Sequence, residues 1–371
     1  MPRVIGIDPG TISIDLCGLE DGRVFLERSL PTADALADPS ILVGLLQAHA
    51  PLDLIVGPSG YGLPLKSARE LTDTDLKLAF LAASGESGGI GGLRALVRAL
   101  AASALPVVLT PGVIHLASVP EYRKVNRVDM GTADKVCAAA LAIHEHAARR
   151  RCRESEVSLI ALELGGAFTA ALAVRNGQIV DGIAGSAGPL GAQAAGALDA
   201  EVAFLAGTIS KRMVFHGGAA SIAGEPDADP LQLFASKTPN ATIAVEAFIE
   251  SSVKAVAASA VSLNDEGDAG DRSFDVILSG RLAGLTSLRD KLTRRLAPFT
   301  RGGTIHLLQG FAGSAKHAAQ GAALLADGIA GGTSAPIVDA MGIRDARGTL
   351  LDHLHVISAE TARARLGIES R

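Results

Sequence analysis

Two carboxylates, Asp8 and Glu163, each close an apolar run and are each followed by a glycine-bearing turn. Residues 4–24 read VIGIDPGTISIDLCGLEDGRV and residues 159–179 read LIALELGGAFTAALAVRNGQI, and the two align without a gap at a constant offset of 155. Asp8 matches Glu163, Gly10 matches Gly165, and Gly22 matches Gly177. A phosphate chain can approach only backbone without Cβ atoms, where successive N–H groups form an anion-binding nest. Gly10, Thr11, Gly165 and Gly166 are therefore candidate phosphate-cradling residues. A carboxylate beside such a turn repels phosphate. Its chemistry is to hold Mg²⁺, usually through water, or to orient the attacking group. Asp8 and Glu163 are accordingly candidate metal residues. Two such hairpins clamping a nucleoside triphosphate from opposite sides would bring both to the γ-phosphate, as phosphoryl transfer requires.

Other segments could complete such a site. Asp134 and Lys135 stand together at the start of a helix expected over 131–149, with Thr132 as its N-cap. They would either serve the helix end or point into a cleft and handle the phosphoryl acceptor. The run Gly57-Pro-Ser-Gly-Tyr-Gly62 follows the apolar strand 54–56. Loops at the carboxyl ends of strands line α/β clefts, so Ser59, Gly60 and Tyr61 are candidate substrate residues. Residues 275–284, DVILSGRLAG, read as a buried strand opening into a glycine turn before a helix from about 285, where Gly280 and Gly284 would let an adenine ring lie on backbone. The glycine run 88–92 reads as a flexible loop. His144-Glu145-His146 lacks metalloprotease spacing, and residues 264–271 read as an acidic turn without calcium-loop spacing.

The elements that must position these groups follow from pattern and composition. Each repeat has the grammar of a three-strand meander, reversed by Asp21-Gly22 or Asn176-Gly177, residues that tolerate a type I′ turn. The 371 residues suit two domains, and a core rich in Ala, Leu, Val and Ile with 42 glycines favours close α/β packing. The expected division is 1–150 with about 318–371, and about 151–317. A second helix is expected over 314–330, and a strand at 354–357. A net charge of −5 without a concentrated basic face argues against a nucleic-acid partner. Three scattered cysteines, no apolar leader and no long apolar run point to a cytoplasmic protein without a membrane partner.

The order hairpin, helix, hairpin, strand–glycine turn, helix resembles the layout of the acetate kinase, sugar kinase, heat-shock chaperone and actin superfamily. The resemblance runs through 4–24, 131–143, 159–179, 275–284 and 316–328. It implies two ribonuclease H-like domains facing a nucleotide cleft, with ATP and Mg²⁺ as cofactors. Asp8-Pro9-Gly10-Thr11, the stretch 162–166 and Ser279-Gly280-Arg281-Leu282-Ala283 look most like acetate and butyrate kinases, which implies nucleotide contacts at Gly280, Arg281 and Gly284 and a homodimer. IVGPSGYGLP and GTADK resemble a mainly archaeal family labelled predicted butyrate kinases. Acyl kinases place an Arg after the third strand and a His before the second glycine turn, where this sequence has Pro58 and Glu163. The reading is a kinase transferring the γ-phosphoryl group to a small carboxylate or hydroxyl metabolite, with Glu163, Asp134 and Lys135 at the chemistry. The alternatives are an ATPase switch acting on a protein partner and a non-catalytic metabolite sensor.

Overall fold

The computed structural model describes residues 2–82, 92–264 and 273–369. Two mixed sheets repeat one plan. In the first, the meander β1 (Arg3–Pro9), β2 (Ser13–Glu20) and β3 (Arg23–Pro31) is extended by β4 (Leu54–Val56), β5 (Lys66–Ser67) and β6 (Val107–Leu109), in the order β3-β2-β1-β4-β6-β5. In the second, β7 (Leu159–Leu164), β8 (Thr169–Arg175) and β9 (Gln178–Ala184) are joined by β10 (Asp275–Ser279) and β11 (Ile305–Leu307). Their order, β9-β8-β7-β10-β11, matches the first sheet without its antiparallel edge strand β5.

The repeat extends to backbone detail. Asp21 and Gly22 have φ of 54° and 70°, and Asn176 and Gly177 have 52° and 75°, the paired positive angles of a type I′ turn. Register shifts fall between Gly18 and Leu19 and between Ala173 and Val174, which are the same positions of the repeat. Opposite Asp8 stands Asp15, and opposite Glu163 stands Ala170.

Between the sheets cross two helices of small residues, Ala133–Arg150 and His317–Ile329. A Cβ at Gly321 would fall 1.8 Å from the Cys137 carbonyl oxygen, and one at Gly6 would fall 2.1 Å from the Ala323 nitrogen. β1 and both helices therefore touch backbone to backbone, which only glycine permits. Strand alternation divides the second sheet's side chains. Leu159, Ala161 and Ile277 join the core of the first sheet, whereas Ile160, Leu162 and Val276 pack with Phe248 of helix Pro239–Ala260 and Leu288 of helix Thr286–Leu296. From the C-terminal segment, Ile337, Met341, Leu351 and Ile368 lie in the first core.

Some expectations change. Thr132 holds the N-cap position with extended backbone, but its hydroxyl donates to the Asp134 carboxylate rather than capping a backbone N–H. Residues 354–357 form no strand, because the Asn126 side chain accepts from His355 N (2.7 Å) and Val356 N (3.1 Å), partners that a strand would seek in a ladder. Of the glycine run only Gly92, and of the acidic turn only Asn264, lie among the described residues. Among those residues, no helix is long and apolar enough to cross a membrane.

Candidate functional site

The carboxyl ends of β1 and β7 and the start of helix Ala133–Arg150 bring together four residues singled out by sequence. Lys135 Nζ lies 2.5 Å from Glu163 Oε1 and 2.9 Å from Asp134 Oδ2. One ammonium thus joins the helix that follows the first sheet to the second glycine-turn hairpin. Burial would depress the Lys135 pKa, but Asp134 and Glu163 more than offset it and raise the value. Burial pushes the Asp134 carboxyl up, yet the Lys135 charge and the Thr132 hydroxyl outweigh it and the net shift is downward. Asp8 is 7 % exposed. Its pKa rises to about 7, first through burial and then through Asp134, with Lys316 and Lys135 opposing.

The glycine turns differ in openness. A Cβ at Gly10 would meet Lys316 Nζ at 2.5 Å, one at Gly165 would meet the Phe168 carbonyl at 2.6 Å, and one at Gly166 would meet nothing within 4 Å. Thr11 is exposed at the first turn. Below Lys135 and Glu163, a crevice of about 10 Å³ runs between the helix and β7, β8 and β10, lined by Ala138, Ala142, Ala161 and Ala170. That is room for about one water.

The remaining sequence candidates border this group: the Gly60 carbonyl accepts from Ala133 N (3.1 Å) at the start of the helix, and Gly280 packs on Leu164 beside Glu163. Ser59 is buried, donates to the Gly57 carbonyl (2.9 Å) and accepts from Thr110 N (3.0 Å). Gly60 has φ of 59° with Ala79 O only 2.5 Å from a would-be Cβ, so its turn is fixed by packing. Tyr61 is buried, which raises its pKa, with Asp129 adding to the effect. Gly280, at φ of 86°, abuts the Leu164 carbonyl, whereas Gly284 faces open space. Arg281 pairs with Asp229 at 2.8 Å, an exposed ion pair.

Sequence reasoning missed Lys316, Asp15 and Asp129, which also lie at these strand ends and helix starts. Asp129, just before the helix, accepts from Ser186 N (3.0 Å) and Gly131 N (3.2 Å), and burial pushes its pKa up to about 6 despite these bonds. Ser186 lies just beyond β9, so this carboxylate ties the approach to the first crossing helix to the second sheet. No group of three His, Cys, Asp or Glu side chains arranged for a metal occurs among the described residues. Nucleotide-bound Mg²⁺ needs only one or two carboxylates, with phosphate and water oxygens completing its shell. The buried Asp8 carboxylate fits that chemistry, as does the Glu163 oxygen left over by Lys135.

The fold, two mixed sheets of one plan about two crossing helices, is shared with acetate and propionate kinases. Similar solved structures are a propionate kinase from Francisella tularensis subsp. tularensis SCHU S4 and an acetate kinase from Porphyromonas gingivalis. The first has a TM-score of 0.58 at 13 % identity, covering 86 % of this chain and 99 % of that one. The second has a TM-score of 0.55 at 14 % identity, covering 81 % and 88 %. An acetate kinase from Entamoeba histolytica has a TM-score of 0.53 at 10 % identity, covering 80 % and 86 %. At such identities the likeness is one of fold. The chain itself belongs to the family described as "Protein of unknown function (DUF1464)", which matches residues 6–356. No curated protein matches it by sequence.

Proposed function

We propose that this protein is an ATP- and Mg²⁺-dependent kinase that transfers the γ-phosphoryl group to a small metabolite bearing a carboxylate or hydroxyl. The observation that carries the reading is the Lys135 ammonium held between Asp134 and Glu163 beside the buried Asp8. In this reading the cleft lies between a lobe of residues 1–150 with about 318–371 and a lobe of about 151–317. Gly10, Thr11, Gly165 and Gly166 cradle the phosphates, and Gly280 and Gly284 border the adenosine. Asp8 and the second oxygen of Glu163 would hold Mg²⁺, which neutralises charge on the β- and γ-phosphates.

The acceptor oxygen forms a new bond to the γ-phosphorus while the bond to the β,γ-bridging oxygen breaks, and ADP leaves with that electron pair. Asp134 orients the acceptor: a hydroxyl acceptor gives it its proton, and a carboxylate acceptor has none to give. Lys135 offsets charge on the moving phosphoryl group. It takes the part for which Pro58 and Glu163, at the positions of the acyl kinase Arg and His, are chemically unsuited. A donor of this kind contributes about 3–4 kcal/mol to transition-state stabilisation.

Calorimetric titration with ATP and Mg²⁺ tests the clamp, comparing wild type with Asp8→Ala. Saturable, Mg²⁺-dependent binding that the substitution weakens is the expected result. A screen of carboxylate and hydroxyl metabolites for stoichiometric phosphorylation then finds the acceptor. Absence of nucleotide binding by wild type would overturn the reading.

A further inference from the structure

Each crossing helix brings a lysine to a phosphate hairpin, and the mechanism above uses only one of them. Lys135, in the helix that follows the first sheet, reaches the second hairpin. Lys316, just before the helix that follows the second sheet, reaches the first. Its Nζ lies 2.7 Å from Asp15 Oδ2, 2.9 Å from the Ser13 carbonyl oxygen and 2.8 Å from Ser13 Oγ. A Cβ on Gly10 would be 2.5 Å from that nitrogen, so the ammonium stands directly against the first phosphate turn. The Asp15 side chain is 5 % exposed and the Lys316 side chain 41 %, so the anchor is buried while the cation keeps a face toward solvent.

The segment leading to Lys316 is fixed from two sides. Glu27 on β3 accepts from Ser314 N, Ser314 Oγ (2.8 Å) and Ala315 N (3.1 Å). Gln320 is buried, accepts from Phe311 N (2.7 Å) and Ala312 N (3.1 Å), and donates to the Ala315 carbonyl (2.7 Å). The second hairpin has no counterpart of this device. Ser13 and Asp15 correspond there to Phe168 and Ala170, at the offset of 155 that relates the two repeats.

We propose that Lys316 binds the phosphate chain of the nucleotide at the first hairpin, with Asp15 holding it in place and a phosphate oxygen taking over from Ser13 as a partner. This rests on the ATP-binding reading and extends it to a second cation. A side chain with three acceptors can exchange the neutral ones for an anion without losing its anchor, and a charge-assisted bond is the stronger one.

The test measures binding of ATP with Mg²⁺, and of adenosine, to wild type, Lys316→Met and Lys316→Arg. Lys316→Met is expected to weaken ATP about tenfold or more while adenosine binding stays unchanged. Lys316→Arg is expected to recover most of the loss. Equal weakening of ATP and adenosine, or unaltered ATP affinity, overturns the proposal and leaves the ATP site standing. If wild type binds no ATP, the functional reading itself fails and this proposal goes with it. Should Lys316→Met fail to fold, Lys316→Gln keeps hydrogen bonding to Ser13 and is held to the same criterion.

Discussion

The two hairpins share a backbone and differ in how they are charged. Both have a type I′ turn, both carry a register shift at the same position, and both set a carboxylate one residue before the end of their first strand. The first pairs its carboxylate with a second one across the ladder, Asp8 opposite Asp15, and receives Lys316. The second sets Glu163 opposite Ala170 and receives Lys135, which packs over an alanine-lined crevice. Duplication thus preserves what the chain needs to fold. Divergence lies in the inward-facing side chains, where charge can be placed without changing strand geometry. In the proposed reading the first hairpin, polar on its inner side, anchors phosphate, and the second, lined by small residues, leaves room beside the reacting group.

This contrast can be broken at its strongest point first. Lys135→Met removes the cation that joins the two lobes and is expected to lower turnover by about 10² to 10³ once an acceptor is found. Steady-state kinetics will show whether kcat falls, as a role in the transition state demands, or only KM rises. Next is the shared scaffold. Gly321→Val would drive a side chain into the Cys137 carbonyl at the helix crossing and should cost about 3 kcal/mol, the upper end of the usual range for overpacking, measured by urea unfolding. A smaller effect sharpens the likeness. Asp21→Ala and Asn176→Ala each place alanine at a positive φ and should destabilise by similar amounts, about 1 kcal/mol each. Unequal losses would show that one turn is held by its surroundings.

The smallest effect concerns the tie beside the second sheet. Asp129 has its pKa raised to about 6 in the folded chain from an ordinary carboxylate value when unfolded. Ionised Asp129 therefore costs stability. The contribution of its protonated form is fully present below the unfolded pKa and is lost as pH rises through about 6. Wild type should gain thermal stability relative to Asp129→Asn between pH 7 and pH 5, by about 1 kcal/mol or less. Parallel melting curves for the two proteins across that range would count against it.

Much of the candidate site is legible in the chain. Asp8, Glu163, the glycine turns and the Asp134-Lys135 pair are signalled by repetition and by residue types whose backbone or charge has few alternative uses. The Lys135 contact with Glu163 was not legible, because 28 residues separate the two and only the crossing of a helix under a strand end unites them. Lys316 is farther still from Ser13, 303 residues along the chain. Ser59 and Tyr61 show the opposite case. Their loop lies at a strand end as expected, but packing turns the Ser59 hydroxyl into a bond with its own loop and buries the tyrosine.

What the sequence by itself determined is whatever local chemistry dictates: meander strands from alternating apolar runs, turns from Asp-Gly and Asn-Gly, and close helix packing from runs of alanine and glycine. These depend on a residue and its near neighbours. What only the tertiary structure decided is which charges face one another. A lysine's partner depends on where its helix begins, how closely glycine lets that helix approach, and which carboxylate stands at the end of a strand far away in the chain. No local pattern records that distance, since the contact exists only once the two repeats have closed on the crossing helices.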